Sequence, residues 1–480
     1  MALSTSVLDC DAVALADLVR KRELQPLELV DASIAAIESV GADLNAVNTP
    51  MFELARREAE AASADAPFAG VPYLLKDIRV RYAGVPTSDG SALLRDRPAE
   101  FDSEIVRRYK RAGLICLGKT NAPEFGLTAT TEPRAFGPTR NPWDLGRTPG
   151  GSSGGAAAAV AARLVPLAHG SDGGGSIRIP ASCCGVVGLK PTRGRNPLGP
   201  DYGDLMGGLV VEHALTVSVR DCAALLDATA GPDLGDPYWA PPPTRPFLQE
   251  VGSPPGALRI AVSTQGHVGS AAAPECVQAV ASATSLLESL GHHVEEAEPD
   301  YDVAAFRRAF TAIWFSNLAA TLEGHVQDFG SEAVTSACEP ATLIYGVRGK
   351  HISGAEYVGA VTVLQKIART VARFFQRFDL WLTPTVATPP PPLGFLHPGP
   401  VDSDVRPFAR RVKEFAPYTP LANATGQPAI SLPLHWTDEE LPVGVHFTAR
   451  FGGEVTLLRL AAQLEEARPW RGRRPPVCAA

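Results

Sequence analysis

Three things are missing from this 480-residue chain, and each closes off a class of function. There is no surplus of positive charge. Its 44 lysines and arginines stand against 52 acids, a net −8 with the acids scattered, which argues against a general nucleic-acid binder. The one basic cluster, Arg468, Arg471, Arg473 and Arg474, reads as a solvated tail. There is no metal or redox pattern among the eight cysteines (Cys10, Cys116, Cys183, Cys184, Cys222, Cys276, Cys338 and Cys478). None forms C-x-x-C and none has histidines at zinc spacing, so no metal is expected. Most sit in apolar surroundings, as Cys116 does, and read as small buried hydrophobes. There is also no apolar run long enough to span a bilayer, since the stretch around 156–165 is short and contains Arg163. Met1 to Arg20 mixes acids among its apolar residues and lacks the core of a signal peptide. The expectation is a reduced, soluble, cytoplasmic protein with neither nucleic-acid nor membrane partners.

What is present is ordinary globular composition, 45% hydrophobic and 20% charged. A chain of this length buries roughly three quarters of its unfolded surface and needs no disulfide or metal to fold. Apolar spacing predicts helices over 9–40, 50–64 and Ser103–Ala112. Strands are predicted over Gly70–Asp77, Leu114–Leu117 and Leu380–Leu382. A helix–Gly–strand unit recurs at 274–297, with Gly291 at its break. Helices alternating with short apolar strands indicate an α/β class built on a mostly buried sheet. Glycine, alanine and serine dominate from Thr148 to Arg195, in a pattern that is neither an amphipathic helix nor an ordinary linker. The Pro-rich stretch Asp233–Pro255 is either a domain boundary or a surface excursion, and Pro384–Pro400 reads as a loop.

Two motif matches fail on context. Gly113–Thr120 satisfies the phosphate-loop pattern G-x-x-x-x-G-K-T letter for letter. That loop must follow a strand and open a helix, whereas here a helix precedes the segment and four apolar residues fill it. Gly150-Gly151-Ser152-Ser153-Gly154 fits the G-x-S-x-G nucleophile elbow, but no apolar strand precedes it. A Ser-His-Asp esterase drawing on His169 and Asp172 remains a weaker alternative.

Three other features fit one mechanism: the run Gly150–Gly155 around Ser152, the segment Asp172-Gly173-Gly174-Gly175-Ser176-Ile177-Arg178, and Lys76 at the end of an apolar strand. Together they resemble the amidase-signature hydrolases. The likeness extends through Asn141-Pro142-Trp143, Gly185–Thr192 and Gly426–Pro433, and so covers most of the chain. It implies one large α/β domain over 1–480, a central mixed sheet covered by helices on both faces, a signature core at about 65–230 and a variable pocket region at about 300–420. It also implies Ser176 as nucleophile, Ser152 as proton-bridging serine after a cis peptide, and Lys76 as base. The chemistry agrees: a serine hydroxyl needs an adjacent base, and lysine serves only when burial favours its neutral form. Gly173, Gly174, Gly175 and Ser176 are expected to present backbone N–H groups to an oxyanion. Asp172 and Arg178 read as a brace for that loop. Thr128, Gly151, Trp314 and Phe315 are the expected substrate contacts.

The expected reaction is hydrolysis of a small carboxamide, or a related ester or carbamate, through an acyl-Ser176 intermediate and without a cofactor. The alternative within the family is a glutamine-hydrolysing amidotransferase subunit of a tRNA-charging complex. Oligomeric state stays open, with a homodimer as one expectation. Gly70–Asp77, Ala168–Ala181 and Gly185–Arg195 look most like the 6-aminohexanoate cyclic-dimer hydrolase branch, whose relatives include urethane hydrolases. Substrate choice is expected to lie in segments 199–212, 305–320 and 395–420. By that resemblance Trp314 and Phe315 stand where the cyclic-dimer hydrolases carry a pocket Cys-Asp pair. Either the rings line the site, which would favour uncharged amides, anilides or carbamates, or they are buried core.

Overall fold

The computed structural model describes residues 5–266, 271–399 and 405–479. Among the described residues there are eleven strands: β1 (Val47–Pro50), β2 (Pro72–Lys76), β3 (Ile115–Thr120), β4 (Leu167–Asp172), β5 (Val187–Lys190), β6 (Val211–Thr216), β7 (Arg259–Val262), β8 (His293–Glu296), β9 (Leu380–Pro384), β10 (Ala429–Trp436) and β11 (Pro442–Ala449). They form one sheet in the order β1-β3-β2-β4-β6-β5-β10-β11-β9-β7-β8. The sheet is mixed: β2 runs parallel to β3 and β4, while β4–β6 and β5–β10 are antiparallel. Because successive strand residues face opposite ways, β2 feeds two cores. Leu74 packs among the alanines of helix α1 (Gly154–Ala161), and Tyr73 and Leu75 pack with Ile105 and Tyr109 on the other face. The fold is therefore a single α/β domain with helices on both faces.

Two boundaries differ from the sequence reading, and one surface cluster is held more tightly than expected. The helix expected over 9–40 is two, Ala12–Arg20 and Pro26–Leu44; Pro26 sits at the first turn of the second, where its missing N–H costs nothing. The strand expected over Leu114–Leu117 runs on to Thr120, so Gly118, Lys119 and Thr120 are sheet residues. Lys119 is buried 3.8 Å from Asp77, which leaves no phosphate loop. The basic C-terminal cluster is partly anchored while Arg471 and Arg473 stay exposed: Arg468 donates to Leu434 O and Arg471 to Asp9 O, around a buried Trp470. The stretch 233–255 is a surface excursion between strands of one sheet. Of the stretch expected as a loop over Pro384–Pro400, Pro384 closes β9 and the described residues from Thr385 on are loop.

The Gly/Ala/Ser-rich middle is the interior of the molecule. It holds α1, β4, helix α2 (Arg178–Cys184) and β5, nearly all buried. A helix apolar all round is a buried helix, and every residue of α1 is buried. Three further helices contribute residues to a cavity that Ser176 also lines: α3 (Val303–Phe329), α4 (Pro340–Lys350) and α5 (Val405–Phe415). The carboxyl ends of neighbouring parallel strands are where α/β sheets present ligand sites.

Candidate active site

Lys76 is the last residue of β2, and Ser171 and Asp172 are the last two of the adjacent strand β4. The Lys76 side chain is fully buried and points its Nζ at Ser152 Oγ, 2.7 Å away. It also donates to Ser171 Oγ at 3.0 Å and to Ser171 O at 3.3 Å. Burial lowers its pKa to about 7, against the raising influence of Asp172, Glu212 and Asp89. A lysine so tuned is half neutral near neutral pH and can accept a proton.

Ser152 follows Gly151 across a cis peptide and precedes α1. Gly151 lies against the 128–130 backbone, where a β-carbon would meet Thr130 O at 2.6 Å. Ser176 lies at the foot of α2, and its carbonyl accepts from Ser153 N at 3.1 Å. Ser152, Ser171 and Ser176 all line one small cavity of about 40 Å³, together with Arg79, Glu212 and Trp314. The structure thus brings Lys76, Ser152 and Ser176 to one place. Among the described residues no direct bond joins the two serine hydroxyls.

The loop before Ser176 is held from within. Asp172 accepts from Gly175 N (2.7 Å), Ile177 N (3.1 Å), Arg178 Nε (2.9 Å) and Asn423 Nδ2 (2.9 Å). The Arg178 charge and these bonds hold its carboxyl far below the usual carboxylate range despite burial. Arg178 reaches on to Thr419 O, His446 and Asn423 Oδ1. This corrects one expectation: the Gly175 amide is spent on Asp172 and does not face the cavity. Among the described residues Gly173, Gly174 and Ser176 keep their N–H groups without an acceptor. Gly175 is required for another reason. Its φ is 130°, and a β-carbon there would meet Thr419 Oγ1 at 2.3 Å.

The Ser-His-Asp alternative finds no geometry. His169 is buried with neither ring nitrogen hydrogen-bonded, 3.9 Å from Glu212, and Asp172 is committed to Arg178. Among the described residues no group of three His, Cys, Asp or Glu side chains is placed to hold a metal ion.

On the other side of Ser176 a cavity of about 300 Å³ opens, at the small end of ligand pockets. Thr128, Gly151, Gly174, Trp314 and Phe315 all line it. The Trp314 ring lies over Gly173 and stacks on Phe310, with centroids 5.6 Å apart; Phe315 stacks on Tyr345 at 4.7 Å. The profile of the Amidase family matches residues 28–458 of this chain. The chain belongs to that family. Among relatives of this amidase, the 6-aminohexanoate-cyclic-dimer hydrolase of Paenarthrobacter ureafaciens is 42% identical over 97% of this chain and 96% of its own. A solved 6-aminohexanoate cyclic dimer hydrolase complexed with substrate superposes with TM-score 0.91 at 40% identity, covering 98% of this chain and 99% of that one. A bacterial aryl acylamidase of the amidase-signature family superposes with TM-score 0.87 at 27% identity, over 97% and 99%. The amidase fold, and an enzyme acting on non-peptide carbon–nitrogen bonds, follow from these likenesses.

Sequence reasoning missed several residues of this amidase's site. Ser171 could have been noticed as a hydroxyl at the end of an otherwise buried strand, two residues beyond His169. Phe310, Tyr345, Phe408 and Val412 line the cavity but carried no motif. Helix α4, source of Tyr345, lies within the pocket region expected at about 300–420 but outside the three segments expected to set substrate choice. Segment 199–212 supplies Leu205, Met206, Val210 and Glu212 to the smaller cavity, and 305–320 supplies the aromatic wall. Residues 400–404 of the third segment lie outside the described residues.

Proposed function

We propose that this amidase hydrolyses small apolar amides, anilides or carbamates through an acyl-Ser176 intermediate. Lys76 serves as base and Ser152 relays the proton. The observation that carries the reading is the 2.7 Å contact between a buried, pKa-lowered lysine and Ser152 at the rim of a cavity that also holds Ser176. In that scheme Lys76 draws a proton from Ser152, which draws one from Ser176 as the hydroxyl attacks the carbonyl carbon. The N–H groups of Gly173, Gly174 and Ser176 receive the oxyanion. The proton then returns through Ser152 to the departing amine, and water repeats the sequence to release the acid. Aromatic walls favour an apolar acyl or aryl group beside the scissile bond. A glutamine headgroup would bring an ammonium as well as a carboxylate, and no carboxylate lines the larger cavity to meet that ammonium, which weighs against the amidotransferase reading. A cytoplasmic location accords with the absence, among the described residues, of a helix long and apolar enough to cross a membrane. The test is a hydrolysis screen of anilides, cyclic amides and carbamates with product identification. Comparable rates on 6-aminohexanoate cyclic dimer and on an apolar anilide would remove the argument from Trp314 and Phe315.

A further inference from the structure

The charge around the larger cavity is one-sided. Its walls are mostly apolar, yet three charged side chains border it, and all are cations: Arg307 from α3, Arg348 from α4 and Lys413 from α5. All three residues are exposed. Among the described residues none of them has a carboxylate partner, although Arg348 lies over the Tyr345 ring at 6.0 Å. An adjoining groove lined by Arg307, Arg308 and Lys413 again contains no acid. Some cations elsewhere on the surface are paired. Lys350, on the same helix as Arg348, meets Glu323 of α3 at 2.7 Å, and Lys110 meets Asp102 at 2.8 Å. Partial burial of its ammonium, and then the nearby Arg307 charge, lowers the Lys413 pKa, so the two like charges feel one another.

Three cations converging from three helices on one opening, in a chain of net charge −8, repel each other with no internal partner to relieve them. An anion at the opening supplies that relief, and guanidinium groups suit a carboxylate because they bond both oxygens. We infer that the mouth of the cavity recognises a carboxylate carried by the substrate at the end remote from its scissile amide. The apolar spacer lies along the Phe310, Trp314 and Phe408 wall. This rests on the amide-hydrolase reading and narrows it to carboxylate-tailed apolar amides. The carboxylate sits either on the acyl chain or on the amine.

The test separates the two arms and does not depend on turnover. Calorimetric Kd values are measured on Ser176→Ala protein for adipic acid monoanilide (acyl arm), 4-hexanamidobenzoate (amine arm) and neutral hexananilide. One of the two anions is expected to bind about tenfold more tightly than hexananilide at low salt, from several weak surface charge pairs acting together. In about 0.5 M NaCl the ratio should fall toward unity. It should fall likewise in a combined Arg307→Gln, Arg348→Gln, Lys413→Met variant, and Lys413→Glu alone should depress it further than Lys413→Met alone. The inference is overturned if neither anion outbinds hexananilide, or if salt and the substitutions leave the ratio unchanged. Turnover of hexananilide by the wild-type enzyme, run in parallel, tests the amide-hydrolase reading separately.

Discussion

Lys76 Nζ and Ser152 Oγ are 2.7 Å apart although the two residues are far separated in the chain, and the lysine has no carboxylate among its hydrogen-bond partners. Its partners are hydroxyls and a carbonyl, so the site stabilises a neutral amine about as readily as a charged one. That relationship suits the role proposed for Lys76 as proton acceptor, in a residue type that is ordinarily a surface cation.

Ser176→Ala should abolish amide turnover, by about 10³-fold or more, with the thermal midpoint near wild type. Ser152→Ala should also lose most activity but keep slow reaction with activated esters, because the nucleophile remains. Steady-state rates on both substrate types check this. A dead Ser152→Ala beside a near-normal Ser176→Ala would assign the nucleophile to Ser152 instead.

Activity on amides should rise with pH through about 7 and then level, as Lys76 loses its proton. The stability effect has a definite sign. The folded pKa lies below the unfolded one, so between about 7 and the ordinary lysine value of 10.5 the unfolded chain holds the extra proton. Stability therefore rises with pH in that window, and burial of Lys76 penalises the fold most below it. Lys76→Met should be inactive yet more stable than wild type at neutral pH, with the gain shrinking as pH approaches 10.5. Denaturant melts at several pH values would show it, and a gain that grows with pH would contradict the assignment.

Arg178→Met should leave Asp172 charged, buried and deprived of its main partner. The expected cost is about 3–5 kcal/mol, together with loss of activity as the Gly173–Ser176 loop relaxes. Chemical denaturation measures the first and kcat the second; a variant with wild-type stability would mean that the brace is idle.

Gly151→Ala puts a β-carbon 2.6 Å from Thr130 O and 2.8 Å from Thr128 O, both backbone atoms that cannot swing aside. The chain must shift at the residue before Ser152. Because a displacement of about 1 Å at a reacting group costs about 10²-fold, kcat should fall far more than the thermal midpoint does. Unaltered kcat would show that the position of Ser152 tolerates the shift.

Much of this site was legible in the sequence because its chemistry is local. The glycines and serines of 150–155, the Asp172–Arg178 loop and the strand ending at Lys76 each carry their geometry within a few residues. Their composition fits no ordinary linker, so they stood out before folding was considered. The α/β class and most strand positions were legible for a similar reason: period-2 and period-3.6 apolar patterns are short-range signals. Other decisions needed the third dimension. The extension of β3 through Gly118–Thr120 was settled by pairing, Lys119 and Thr120 with β2 and Gly118 with β1. The Gly175 amide could face substrate or Asp172 on sequence grounds, and only the Arg178–Asn423 network around that carboxylate decides it. The pocket is assembled from Trp314, Tyr345 and Phe408 on three helices whose apolar residues look like any core-facing stripe. A stripe records that a residue is apolar; whether it meets another helix or an opening beside Ser176 depends on where the neighbouring helices stop, and that is a property of the packed molecule alone.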